Sequence, residues 1–232
     1  MNIKNLIAGT VAVASLALAG TASAGLIDLN DTPNRTAWPQ PGSSGGEFAA
    51  LTSDDFVGNY ALVATYNSGT RFATFCLELN ENISFSSPYS YVVNTAAVAG
   101  GIAGGNPDTL SLGAAYLYNL FATGSLTGYD YAGASRPAHA GLLQEAFWVL
   151  ENELGEASGV NPFLALAVTQ FTDLIGARAD YDPTQSRVRV LNLFASDGSY
   201  KQDVLALVPD GGMTVSLLGL GIMGIAALRR RK

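Results

Sequence analysis

The spacing of apolar and polar positions changes period several times along the chain, and each change marks an element. Asn59 to Tyr66 and Arg71 to Leu79 are rich in β-branched and aromatic residues, and Asn67-Ser68-Gly69 between them has the residues of a tight hairpin turn. Tyr89 to Asn94 alternates and predicts a further strand. Leu110 to Ala122 is helical in character, with Gly124 as its stop. Pro137 to Leu154 is the strongest helical segment. Leu143, Phe147, Leu150 and Leu154 recur at helical spacing, Pro137 suits a first turn, and Gly155 supplies the stop. Asn161-Pro162 opens a third helix that runs to about Ile175. Arg187 to Phe194 reads as a strand, Ser196-Asp197-Gly198 as a turn, and Lys201 to Val208 as a closing strand. Thr32 to Gly46, rich in Pro, Gly and Ser, reads as irregular, and Gly100 to Pro107 as a flexible loop. The pattern predicts an α+β, mainly β fold: a β-sandwich or sheet with a helical insertion.

The two ends carry a different pattern. Lys4, the uncharged apolar run Leu6 to Ala19 and the small residues Ala22-Ser23-Ala24 compose a secretory signal, residues 1–24, with cleavage expected after Ala24. At the other end, Val208-Pro209-Asp210-Gly211-Gly212 is a turn-forming motif, Met213 to Leu228 is apolar, and Arg229-Arg230-Arg231-Lys232 is a basic stop. The basic cluster stays on the cytoplasmic side of a membrane by the positive-inside rule. The apolar run is short against the roughly 20 residues of a permanent span, and so suits a transient anchor in the inner membrane. Residues 25–207 then form one domain, and residues 208–232 a C-terminal sorting signal with a short transmembrane segment. This tail resembles the PEP-CTERM signals that exosortases read in Gram-negative bacteria, closest to the variant with a Val-Pro-Asp-Ser-Gly core, with Gly211 standing where that variant has serine. The resemblance implies an exosortase-type processing partner and an exported protein of the cell surface or extracellular (biofilm) matrix.

Charge narrows the partners. Between Gly25 and Leu207 there are seven Lys/Arg against eighteen Asp/Glu, so a phosphate backbone is repelled and nucleic acid is not an expected partner. Lys201 is the only lysine of that stretch.

Cys76 is the only cysteine. A lone cysteine in an exported chain is an inert buried side chain, half of an intermolecular disulfide, or a reactive group. Cys76 falls on a strand and Gln144 on a helix, so only tertiary folding can join them. A cysteine sulfur and a glutamine amide can condense, with loss of ammonia, to an internal thioester. Trp148 lies four residues after Gln144, on the same helix face, where an indole would exclude water from such a bond. Phe75-Cys76-Leu77 and Leu143-Gln144-Glu145-Ala146-Phe147-Trp148 resemble the paired motifs of bacterial thioester domains of surface adhesins. The resemblance implies a Cys76–Gln144 thioester that captures a nucleophile, a surface-protein amine or a polysaccharide hydroxyl, and a β-sandwich with a helical subdomain. His139 is a candidate general base near the bond. Glu145 is a candidate for steering the amide, and Phe75 a core residue beside the cysteine. The alternative is a non-reactive matrix protein with Cys76 buried in its core.

Other chemistries lack their residues. One His and one Cys do not make a zinc site of usual ligand count. Asp54-Asp55 and Asp180-Tyr181-Asp182 lack the register of a calcium loop, and no glycine-rich phosphate loop precedes a Lys-Ser/Thr pair. A hydrolase built on Cys76 and His139 has no local nucleophile signature. The chain is therefore expected to be no enzyme, with no cofactor and no metal.

Overall fold

A computed structural model describes residues 25–30, 35–37, 44–52, 71–85, 88–98, 102, 105, 107–184 and 186–208. The expected signal peptide, the strand over 59–66, its turn at 67–69, the Asp54-Asp55 pair and the sorting tail beyond Val208 lie outside the described residues. No helix among the described residues is long and apolar enough to cross a membrane.

Among the described residues the frame is one six-stranded antiparallel sheet. Its strands are β1 (Gly25–Asn30), β4 (Phe48–Thr52), β5 (Arg71–Thr74), β6 (Tyr89–Asn94), β9 (Val188–Phe194) and β10 (Tyr200–Leu207). The spatial order is β10-β9-β6-β1-β4-β5. The two ends of that order approach each other. Beyond β5, Cys76 bridges to Val204 of β10, Leu77 N–H donates to Asp203 C=O at 3.0 Å, and Leu205 N–H donates to Phe75 C=O at 3.3 Å. The sheet therefore curls into a near-barrel, which leaves little open strand edge. Short strands β2 (Arg35–Ala37) and β3 (Ser44–Gly46) form a separate antiparallel ribbon, and β7 (Ala96–Ala97) pairs with β8 (Asp108–Thr109).

The helices are inserted between β8 and β9: α1 (Leu112–Ala122), α2 (Arg136–Leu150), α3 (Pro162–Gln170) and α4 (Leu174–Ala177). This is an α+β molecule, a sheet with a helical insertion. The period-two alternation of the strands explains how one sheet serves two cores. Ile27, Leu29, Phe48, Phe72, Tyr91, Leu191 and Val204 fill the inside of the curled sheet. Ala73, Phe75, Leu77, Val190, Leu205 and Leu207 face the helices instead.

Several predicted boundaries shift for identifiable reasons. The helix expected to reach Leu154 ends at Leu150, because Asn152 takes a left-handed φ of 63° and turns the chain before Gly155 is reached. The third helix is opened by Asn161, whose Oδ1 accepts from Phe163 N and Leu164 N at 3.1 Å each. It breaks at Thr172 (φ 78°) before α4 restarts at the Asp173 cap. The strand expected over Arg71 to Leu79 pairs with β4 only as far as Thr74, and Cys76 continues it as a single bridge to β10. Strands β1 and β4 carry no sequence expectation, and β3 lies inside the segment read as irregular.

Candidate functional site

Cys76 lies where the sheet closes, and the same alternation that sends Phe75 and Leu77 toward the helices sends Cys76 inward. Its side chain is 8 % exposed and shares a cluster with Trp148. Helix α2 delivers Gln144 to the same point. The fully buried Gln144 amide docks on the backbone of Cys76: Nε2 donates to Cys76 C=O at 2.7 Å, and Cys76 N–H donates to Oε1 at 3.1 Å. A second backbone donor, Gly46 N–H, reaches the same Oε1 at 3.4 Å. Two main-chain N–H groups thus converge on the carbonyl oxygen of one side-chain amide. That is the arrangement that stabilises negative charge developing on a carbonyl under attack.

The ribbon β2–β3 makes this convergence. A Cβ built on Gly45 would lie 2.5 Å from Gln144 Cγ and 2.7 Å from Trp148 Cη2. Only glycine lets the ribbon come so close to α2, and Gly46 has the left-handed φ of 106° that glycine tolerates. The contact also shows Gln144 and Trp148 meeting the ribbon from one face of α2, as their spacing predicts. Gly45 and Gly46 are members of this arrangement that the sequence reading missed. Their signal was a Gly-Gly pair inside a Pro/Gly/Ser-rich stretch, which by composition looks like any loop.

Two buried polar groups hold α2 in place. Glu47, fully buried, receives Arg136 Nε on Oε2 at 3.0 Å and Arg136 Nη2 on Oε1 at 2.5 Å, and Tyr129 O–H donates to Oε2 at 2.7 Å. This fork ties the chain just after β3 to the first turn of α2, 89 residues away. Glu145 faces elsewhere than Gln144. Its carboxylate accepts from Ser158 N–H at 2.5 Å and from Asn161 Nδ2 at 3.0 Å, pinning the turn that follows α2. His139 accepts from Asp130 N–H through Nδ1 at 2.9 Å, and its ring lies between Tyr129 and Phe163. It does not line the pocket at Cys76. Phe75 packs edge-on against Phe121 and Phe147.

That pocket is a small cavity of about 50 Å³ bordered by Cys76, Gly45, Trp148, Glu78 and Glu81. Two of these residues are acidic, and a third carboxyl group adjoins them. Oxygens of Glu78, Glu81 and Asp203 lie within 4.8 Å of one another. Burial pushes the Glu78 carboxyl up to about 9, helped by the adjoining Glu81 carboxyl and then by Glu153 and Asp108. Burial likewise raises Glu81, and raises Asp203 to about 7 against the opposing hydrogen bond from Val98 N–H. Glu153 stations the loop that carries Glu78 and Glu81: it accepts from Leu79 N–H at 2.9 Å and from Ile102 N–H at 2.8 Å.

The molecule is thus a mixed α+β domain with a polar clamp buried at the closure of its sheet. Residues 208–232 match the family described as the VPDSG-CTERM motif. No curated protein and no solved structure matches the chain. The motif marks an exported, cell-surface protein sorted by exosortase-type processing.

Proposed function

We propose that this exported protein is a covalent surface adhesin or matrix component whose reactive group is a Cys76–Gln144 thioester. The observation that carries the reading is the docking of the Gln144 amide on Cys76, with Cys76 N–H and Gly46 N–H both aimed at its Oε1. In the forming step Cys76 Sγ adds to Gln144 Cδ, negative charge grows on Oε1, and those two donors stabilise it. The C–N bond then breaks and Nε2 leaves as ammonia, taking the thiol proton. Burial beside Trp148 keeps water from hydrolysing the product. In the capture step a partner amine or hydroxyl adds to the same carbon, the C–S bond breaks, and the thiol regains a proton. An amide or ester then joins the two molecules through Gln144. The acyl group belongs to the protein itself, so each molecule reacts once. It is a clamp and not a turnover enzyme, and it needs no cofactor.

A second reading uses the same geometry without chemistry. The hydrogen bonds between Gln144 and the Cys76 backbone tie α2 to the sheet closure, as a structural matrix protein would require. Intact mass separates the two. The freshly purified mature protein is expected one ammonia lighter than its sequence, with full mass restored in Cys76→Ala and in Gln144→Ala. Methylamine should add once, at Gln144, and free the Cys76 thiol. Full mass in mildly handled wild-type protein leaves only the structural reading.

A further inference from the structure

Beside the clamp, three carboxylates from two distant parts of the chain meet, and two of them, Glu78 and Glu81, border the cavity at Cys76. Glu78 and Glu81 come from the loop after the sheet closure, and Asp203 from β10. Glu78 is 3 % exposed and Asp203 1 %, while Glu81 is half-buried and opens the group toward solvent. Among the described residues, the buried Oε2 of Glu78 and that of Glu81 have no hydrogen-bond partner. These sealed carboxyl oxygens are unmet polar atoms that a bound cation would satisfy. The surroundings are further acidic, with Glu153 and Asp108 close enough to oppose ionisation of Glu78.

We propose that Glu78, Glu81 and Asp203 bind one calcium ion. The donor set is oxygen only, which selects a hard cation over zinc or copper. Calcium–oxygen distances of 2.3–2.6 Å let two ligands of one ion stand up to about 5 Å apart, and calcium accepts several carboxylates in a flexible shell where magnesium keeps most of its waters. The mutual spacing here, within 4.8 Å, falls inside the calcium span. The ligands are also held in place. Val98 N–H fixes Asp203 Oδ2 at 2.6 Å, and Glu153 anchors Leu79 between the two glutamates. Three carboxylates leave positions for water or backbone carbonyls in a six- to eight-coordinate shell. A protein of the cell surface meets calcium at concentrations where even weak, extracellular-type sites fill. The sequence could not reveal this site, because Asp203 lies more than a hundred residues from the two glutamates and no loop register links them.

The test uses the full chain stripped with EGTA, with calcium chloride as the probe. Calorimetric titration should show one calcium per chain, and the thermal midpoint should rise with calcium by mass action. Glu81→Gln, at the half-buried position where folding is least at risk, should weaken binding by about tenfold or more, since disturbing even an outer partner of a metal ligand costs that much. Its circular dichroism should match wild type. Glu78→Gln should abolish the midpoint shift, and Asp182→Asn, on an exposed loop, should leave it intact. Absence of both heat and midpoint shift at millimolar calcium overturns the site. So does wild-type affinity in Glu81→Gln, or an equal response to magnesium, which would reflect screening of an acidic surface.

Discussion

At Gly45 one missing methyl decides whether the clamp can assemble. The contacted atoms, Gln144 Cγ and the Trp148 ring, lie within buried side chains and have little room to move aside. Gly45→Ala is expected to cost about 1–3 kcal/mol, the usual penalty of overpacking, and to displace the Gln144 amide from its donors. Urea unfolding reads the first effect, and intact mass reads the second as loss of the proposed condensed form. A second single-residue effect concerns Glu151, at the C-cap of α2, which receives Ser111 N–H at 3.1 Å and Ser111 O–H at 2.6 Å. Burial pushes its carboxyl up to about 8, against those hydrogen bonds and with help from Asp108 and Glu153; Arg178 is the cation nearby. The folded state keeps a proton that the unfolded chain releases from about 4.5 upward. This contribution to stability is therefore full at acid pH and is lost as pH rises through about 8. Glu151→Gln keeps the acceptor and removes the titration. The difference between mutant and wild-type unfolding free energies should grow between pH 5 and pH 8, and an unchanging difference would show that Glu151 does not titrate in this window.

Among elements, α2 carries most of the arrangement. Its helical period puts Leu143, Phe147 and Leu150 into the core under the sheet, while Gln144 and Trp148 project to the closure. Its two ends are fastened by polar groups, Arg136 to Glu47 at the start and Glu151 to Ser111 at the finish. Ser111 also caps α1 by accepting from Ala114 N–H at 3.1 Å, so one carboxylate couples two helices. Removing one partner of a buried ion pair strands the other charge. Arg136→Met is expected to destabilise by about 3–5 kcal/mol, and the paired change of Glu47 and Arg136 to apolar residues by much less. A double-mutant cycle on thermal unfolding measures the coupling. The helix itself is readable in the sequence from apolar spacing and Pro137. The Arg136 to Glu47 fork is not, because charge type alone does not name a partner 89 residues away.

For the whole molecule, folding and delivery are separate layers. The described domain closes its sheet with its own strand ends, and the sorting motif follows directly after β10 at residues 208–232. Val208 N–H still donates to Arg187 C=O at 2.9 Å, so the domain ends where the motif begins. Replacing Pro209-Asp210 with Ala-Ala should leave the folded domain and its export unchanged and block maturation or surface delivery. Fractionation of the native host reads the outcome. Wild-type processing of that variant would reduce the tail to an anchor.

The α+β class, the helical insertion, the strands at Tyr89, Val188 and Tyr200, the Asn161 helix cap and the sorting tail all follow from the sequence. Each is written in local signals: alternation, helical spacing, capping chemistry, or contiguous apolar and basic runs. The sequence also singled out Cys76 and Gln144, through a resemblance to paired motifs, and the fold brings the two together. What lay beyond it were the long-range meetings. Cys76 bridging Val204, Gly46 N–H on the Gln144 amide, Glu47 with Arg136, and Glu78 with Glu81 and Asp203 are each set by how the curled sheet, the ribbon and α2 pack. Periodicity says which face a side chain occupies. Only the closed sheet decides which faces, scores of residues apart, come to share one buried space.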